Sequence, residues 1–228
     1  MMIGRCWPAV SLFLLGFLIP QASYAQPGET NGVQAVAERM KAFFQEVEDY
    51  CTDVEQIYFR DGVETQRARF KYFFKRPNKI RVDLIHPHSG VSIFFQRGEK
   101  KATLRPFASL PSFKVRLATD NSILRTPTGQ RVYQSDMIFF IDFLFRNLKG
   151  VPQKDCQMQG CEDQINFIFW AREYVKGEMP EEFRICVSTR TWFPIRVERY
   201  SPEGRPMETS IMPNYVINSR LDDRLFAP

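Results

Sequence analysis

A chain of 228 residues with 44% apolar and 25% charged side chains is long enough to build one domain around a sizeable core. A formal net charge of +5 is too mild to point to a nucleic-acid partner, and two histidines leave little material for metal or acid–base chemistry. The 21 phenylalanines are the opposite case, a large apolar supply that some face of the fold has to cover.

The first 25 residues read as a signal peptide. Arg5 supplies a basic start, Val10 to Ile19 an apolar core too short to span a bilayer comfortably, and Ser23-Tyr24-Ala25 a small-x-small cleavage pattern. Pro20 and the small residues after it favour processing over an uncleaved anchor. Cleavage after Ala25 leaves Gln26 first and a single domain over 26–228, exported to the periplasm. Losing Arg5 leaves 30 basic against 26 acidic residues, a charge of +4. The new terminus carries no cysteine for lipidation, and no later segment is apolar and long enough to span a membrane.

The mature chain then opens on a helix. Thr30 and Asn31 are cap candidates, and Val33, Val36, Ala37, Met40, Phe43, Phe44, Val47 and Tyr50 recur three and four apart. A hairpin follows, Val54 to Phe59 and Glu64 to Lys75 around Arg60-Asp61-Gly62. Ala68, Phe70, Tyr72 and Phe74 alternate with Arg67, Arg69, Lys71 and Lys75; after Arg76-Pro77-Asn78, Ile80, Val82 and Leu84 alternate with Lys79, Arg81 and Asp83. Such period-two alternation marks antiparallel sheet with one greasy and one wet face. Val91, Ile93 and Phe95, then Lys101 to Arg105, then Phe113, Val115 and Leu117 continue the train. The basic residues of the outward face read as a solvated surface or as a docking surface for anionic lipid or an acidic partner.

Ser135 to Lys149 is a second helix, with Ser135 as N-cap, Asp136 beside it and Gly150 closing it. SDMIFFIDFLFRNLK is apolar almost all round, so it must be buried on two or three sides. Strand patterns return at Ile165–Phe169, Phe183–Val187, Ile195–Val197 and Met207–Tyr215. Nine to eleven short strands with two helices at this spacing predict an α+β chain that is mainly antiparallel sheet, not βαβ units. Cys6 leaves with the signal, so four cysteines remain. Cys156 and Cys161 bracket a plausible tight turn, and Cys51 with Cys186 would be the second disulfide. A zinc site lacks the required two-residue spacings.

Phe74-Lys75-Arg76-Pro77-Asn78-Lys79-Ile80-Arg81, Leu84-x-x-Pro87-x-x-Gly90, Pro106, Trp192-Phe193-Pro194-Ile195-Arg196 and Ser201-Pro202-Glu203-Gly204 together resemble the LolA-like superfamily of periplasmic lipoprotein-sorting proteins, over most of the mature chain. The resemblance is closer to an uncharacterised branch than to the well-studied carrier. It implies an incomplete, half-open antiparallel β-barrel whose concave apolar face is covered by helices. It also implies a ligand of lipoprotein acyl chains or lipids, with an inner- or outer-membrane complex as partner. Candidates for the cavity and lid are Phe70, Tyr72, Phe74, Ile80, Val82, Leu84, Ile93, Phe95, Phe140, Ile141, Phe143 and Leu144. Arg76 matches the arginine that in the family holds the lid shut through lid backbone, here expected around Phe139–Phe145. A sensor or scaffold role on the same fold is the other reading.

No catalytic signature is present: no Gly-x-Ser-x-Gly, no His-Glu-x-x-His and no phosphate-binding glycine loop. His86 and His88, with Asp83 nearby, would suit a metal only weakly, and Pro87 between them reads as a turn. No enzyme activity, cofactor, metal or nucleic acid is expected, and a monomer is.

Overall fold

The computed structural model describes residues 31–151, 158–161, 163–172 and 179–228. Two helices and twelve strands organise them. Helix α1 is Asn31–Gln45 and α2 is Met137–Gly150. The strands are β1 Asp49–Arg60, β2 Val63–Lys75, β3 Lys79–His86, β4 Ser92–Gln96, β5 Lys101–Arg105, β6 Val115–Ala118, β7 Met158–Cys161, β8 Gln164–Ala171, β9 Glu181–Ser188, β10 Pro194–Tyr200, β11 Pro206–Ile211 and β12 Tyr215–Ile217. They form one antiparallel sheet in the order β6-β5-β4-β3-β2-β1-β11-β10-β9-β8-β7, with β12 pairing the start of β1. β6 and β7 stand at opposite ends of that path, so the sheet is an open half-barrel.

The longest pairing explains the frame. Asp61 and Gly62 both take positive φ, 52° and 79°, which makes the two-residue turn whose twist suits a hairpin. It launches the pairing of β1 with β2 from Arg60↔Val63 to Asp49↔Lys75, with one bulge between Tyr58 and Phe59. Along β2 only the distal half buries side chains, Tyr72 and Phe74.

Both helices pack on the same face and share one core with the inward strand residues. Val33, Val36, Ala37, Met40 and Phe44 are the buried stripe of α1. The helical spacing ran on to Tyr50, but α1 stops at Gln45 and Tyr50 lies on β1. The reason is non-local: the Asn218 side chain accepts from the backbone N–H of Glu48 at 2.8 Å, and Asp49 accepts from the N–H groups of Ser219 and Leu221. The far end of the chain thus fixes where β1 begins.

Helix α2 starts two residues later than Ser135. Asp136 is its N-cap, accepting from the Phe139 N–H at 2.7 Å, while the Ser135 hydroxyl donates to the Val132 carbonyl. Gly150 is the last helical turn's residue and not the cap, a position taken by Val151 in extended conformation.

The cysteine pairing expected between Cys51 and Cys186 is not formed. Cys51 is on β1 and Cys186 on β9, with β11 and β10 between them. Cys186 is level with Glu55 through Arg196 and Ile211, so it lies three strand spacings of about 4.8 Å across and four residues along from Cys51, well beyond the Cα distance a disulfide bridges. Cys156, and with it the Cys156–Cys161 pairing, lies outside the described residues, as does the expected signal peptide.

Candidate ligand cavity

Beneath the first turn of α2 the sheet is not filled. A cavity of about 140 Å³ opens between Tyr50, Val54, Phe70 and Tyr72 of the β1–β2 hairpin, Phe183, Phe193 and Val197 of the far strands, and Met137 and Phe140 of α2. Gln130, Gln134 and Ser135 complete its roof. A second groove of about 280 Å³ adjoins it, sharing Gln56, Phe70, Tyr72, Gln130 and Ser135 and continuing past Val82, Leu84 and Ile93 to Pro87 and His88 of the β3–β4 turn. The two make one trough along the concave face. No residue of α1 lines either part.

One end of the trough has a polar floor. Arg199 and Glu208, both buried, face each other from β10 and β11 at 3.7 Å, and Arg199 also pairs with Glu181 at 2.7 Å. Glu208 accepts from the Thr128 hydroxyl at 2.6 Å. Gln56 donates to Glu208 at 3.4 Å and accepts from the Tyr58 hydroxyl at 2.7 Å. Burial raises the Glu208 carboxyl above the usual range, and burial raises the Tyr58 phenol in the same way. Thr128 therefore ties the roof segment to the floor, and the Tyr72 hydroxyl, 3.3 Å from that of Ser135, ties it to β2.

The N-terminus of α2 is buried beside that roof. Asp136 is fully enclosed, and its second carboxylate oxygen has no hydrogen-bond partner among the described residues. Burial pushes its carboxyl up, opposed by the cap bond to Phe139 and by Arg97, whose guanidinium lies 3.6 Å away. Arg97 also reaches Asp142 at 3.9 Å, so its guanidinium pairs with both the cap and the second turn of α2. The other end of α2 is held by Asn147, which accepts from the Arg172 N–H at 2.9 Å, and by Phe143 against Phe169 and Phe183.

Arg76 does something else. Its Nε donates to the Val47 carbonyl at 2.5 Å and its Nη2 to the Phe44 carbonyl. It fastens the C-terminal end of α1, not the helix around Phe139–Phe145. The physical reason is plain in α1 itself: its last turn has no basic residue of its own, so its orphan carbonyls and negative dipole end attract a guanidinium from the neighbouring turn.

Of the residues expected to line a cavity, Phe70, Tyr72 and Phe140 do so in the first chamber, and Phe70, Tyr72, Val82, Leu84 and Ile93 in the groove. Phe74, Ile80, Phe95, Ile141, Phe143 and Leu144 lie instead in the packed core. Sequence reasoning missed the polar floor and the roof at 130–135. Glu208 and Ser210 line the cavity from a strand whose faces the sequence reading left unassigned. The signal present but unused was their position on a strand whose apolar side chains are few. His86 and His88 are exposed at the β3–β4 turn. The outward basic face is largely neutralised from within: Arg67 pairs with Glu55 and Glu64, Lys71 with Asp53, and Arg81 with Asp83.

No family model matches the sequence, and no curated protein matches it. Solved structures do. MucB, in the Pseudomonas aeruginosa MucA/MucB complex, superposes with a TM-score of 0.51 at 8% identity, over 86% of this chain and 61% of that one. Over that part of MucB the two folds correspond. Other structural neighbours are a LolA superfamily protein from Nitrosomonas europaea (TM-score 0.38, 15% identity, 86% and 97% covered) and the Mycobacterium tuberculosis lipoprotein LppX (0.47, 8%, 84% and 98%). The chain spans about three fifths of the MucB chain. The half-open antiparallel sheet that the family resemblance implies is the one observed, and among the described residues no helix is long and apolar enough to cross a membrane.

Proposed function

We propose that this protein is an exported carrier that shelters an acyl chain of a lipid or lipoprotein in the trough between the sheet and α2. The observation that carries this reading is the continuous apolar trough itself, roofed by one helix turn and a short polar-tied segment instead of by packed core. Burying a sixteen-carbon chain is worth roughly 12 kcal/mol at about 0.8 kcal/mol per methylene. A dry cavity near 150 Å³ holds no more than a benzene-sized group, so the first chamber, of that size, cannot take a long chain unaided. The chain must run on into the groove, and the roof over 130–140 must lift to admit it. Closure without ligand then covers the same apolar surface that ligand would cover, which allows release.

In this reading residues 1–25 act as a cleaved export signal, 26–228 form the single carrier domain in the periplasm, and no catalytic step is involved. The test is titration of delipidated protein with a fluorescent acyl probe, alongside mass spectrometry of lipid retained after gentle purification. Low-micromolar probe binding is expected; refolded protein that takes up no probe overturns the carrier. A second reading, a sensor that reports lipid occupancy to a membrane partner, draws on the likeness to MucB, whose solved complex contains MucA. It predicts a partner protein captured only by the lipid-loaded or only by the empty form.

A further inference from the structure

The loop between β5 and β6 carries apolar side chains that the fold leaves uncovered. Phe107, Leu110 and Phe113 are 52%, 54% and 51% exposed. Two linked turns order them, the Leu110 N–H donating to the Phe107 carbonyl and the Phe113 N–H to the Leu110 carbonyl. At this three-residue spacing the Phe107 and Phe113 rings meet, 6.1 Å apart. Every residue from 107 to 114 is exposed, so the cluster is a protruding apolar tip and not a slipped piece of core.

The charge around the tip has one sign. Lys114 belongs to the tip and Arg105 and Arg116 lie close to it at the ends of β5 and β6, while no acidic residue occurs in residues 100–119. Among the described residues, only Glu99, 3.8 Å from Arg116, offers an ion pair to this group. The β2 face is different, because there Arg67 and Lys71 are matched by carboxylates at 2.6 to 3.0 Å. A greasy tip flanked by Lys114, Arg105 and Arg116, with one long carboxylate contact among them, fits the boundary of an anionic bilayer, where apolar side chains enter the acyl edge and lysines and arginines meet the headgroups.

The loop also sits where docking would matter. Ala108 packs beside Gly90, where an added Cβ would stand 3.3 Å from the alanine's own. Gly90 closes the β3–β4 turn, whose Pro87 and His88 line the open end of the groove. We propose that residues 107–114 insert into the surface of an anionic membrane and bring the mouth of the trough against it. This proposal stands on the loop and does not require the acyl reading.

The test is flotation of the full mature chain with vesicles of phosphatidylcholine alone or with about one third phosphatidylglycerol. Binding is expected to anionic vesicles only, to weaken at high salt, and to fall about ten-fold or more in the triple variant Phe107→Ser, Leu110→Ser, Phe113→Ser. Lys114→Glu with Arg116→Glu should lower it at low salt and remove most of its salt dependence. Circular dichroism and soluble acyl-probe uptake should be unchanged in both variants, since these side chains touch neither core nor trough. Wild-type protein that stays unbound with anionic vesicles overturns the proposal, as does equal binding by the triple variant. Concentration-dependent self-association lost in the triple variant, without vesicle binding, assigns the tip to a second copy of the chain and overturns it too.

Discussion

The two helices lie on the same face of one sheet, yet they are held in different ways and do different work. α1 is sealed down by a buried stripe and by Arg76, whose guanidinium satisfies the carbonyls of Phe44 and Val47. It touches neither chamber. α2 is fixed at its far end by Asn147 and the Phe143 cluster, while its first turn spans a void and leans on Arg97 at 3.6 and 3.9 Å and on the polar ties of the preceding segment. One helix is foundation and the other is roof. An arginine expected to latch the roof has been used on the foundation, so a latch cannot be assigned from a motif without knowing which carbonyls lie above it.

The sharpest way to break this comparison is Arg76→Leu. Two hydrogen bonds from a charged donor at about 1.5 kcal/mol each suggest a loss of about 3 kcal/mol in denaturant unfolding. Acyl-probe uptake by the protein that remains folded should keep its wild-type rate. Faster uptake with unchanged stability would make Arg76 a lid latch after all.

The roof predicts the reverse pattern. Thr128→Val removes the hydroxyl that the buried Glu208 accepts from. A bond to a charged acceptor is worth about 1.5–3 kcal/mol, enough to raise the open population about ten-fold. Stopped-flow uptake should speed up accordingly, and identical rates in variant and wild type would show that the 126–135 segment does not gate the trough.

Arg97→Gln should act in the same direction but less. Its ion pairs are long and Arg97 itself is one third exposed, so they are worth about 1 kcal/mol or less and a change of about five-fold in uptake is the most to expect.

How much of this was legible before the coordinates depends on how local each cause is. Asp61-Gly62 announces its own turn, and Lys79–His86 and Lys101–Arg105 are bounded by turn residues, so those strands read directly. The end of α1 does not, because Asn218 and Ser219, some 170 residues away in sequence, terminate it through Glu48 and Asp49. The apolar half of the trough was visible in Phe70, Tyr72 and Phe140. Its polar floor was not, because Arg199 and Glu208 are tolerable inside only with partners brought in from distant segments, Glu181 and Thr128 among them, and alternation rules place such residues outside.

The smallest expected effect is a pH dependence of stability. The Glu208 carboxyl is raised in the folded state, so the native form holds its proton more tightly than the unfolded chain does. Stability from this group is full below the ordinary glutamate range and is lost as pH rises through the raised folded value. Urea midpoints measured across that window should decline with pH in the wild type and decline less in Glu208→Gln; parallel curves would place the proton elsewhere.

The most direct measurement is photocrosslinking of a sixteen-carbon chain with a photoreactive group near its methyl end, followed by peptide mass spectrometry. If the roof of α2 covers the ligand, adducts concentrate on Phe70, Tyr72, Met137 and Phe140. Adducts confined to α1 or to the outer face of the sheet, or none from a probe that binds, would contradict an acyl chain lodged in the trough.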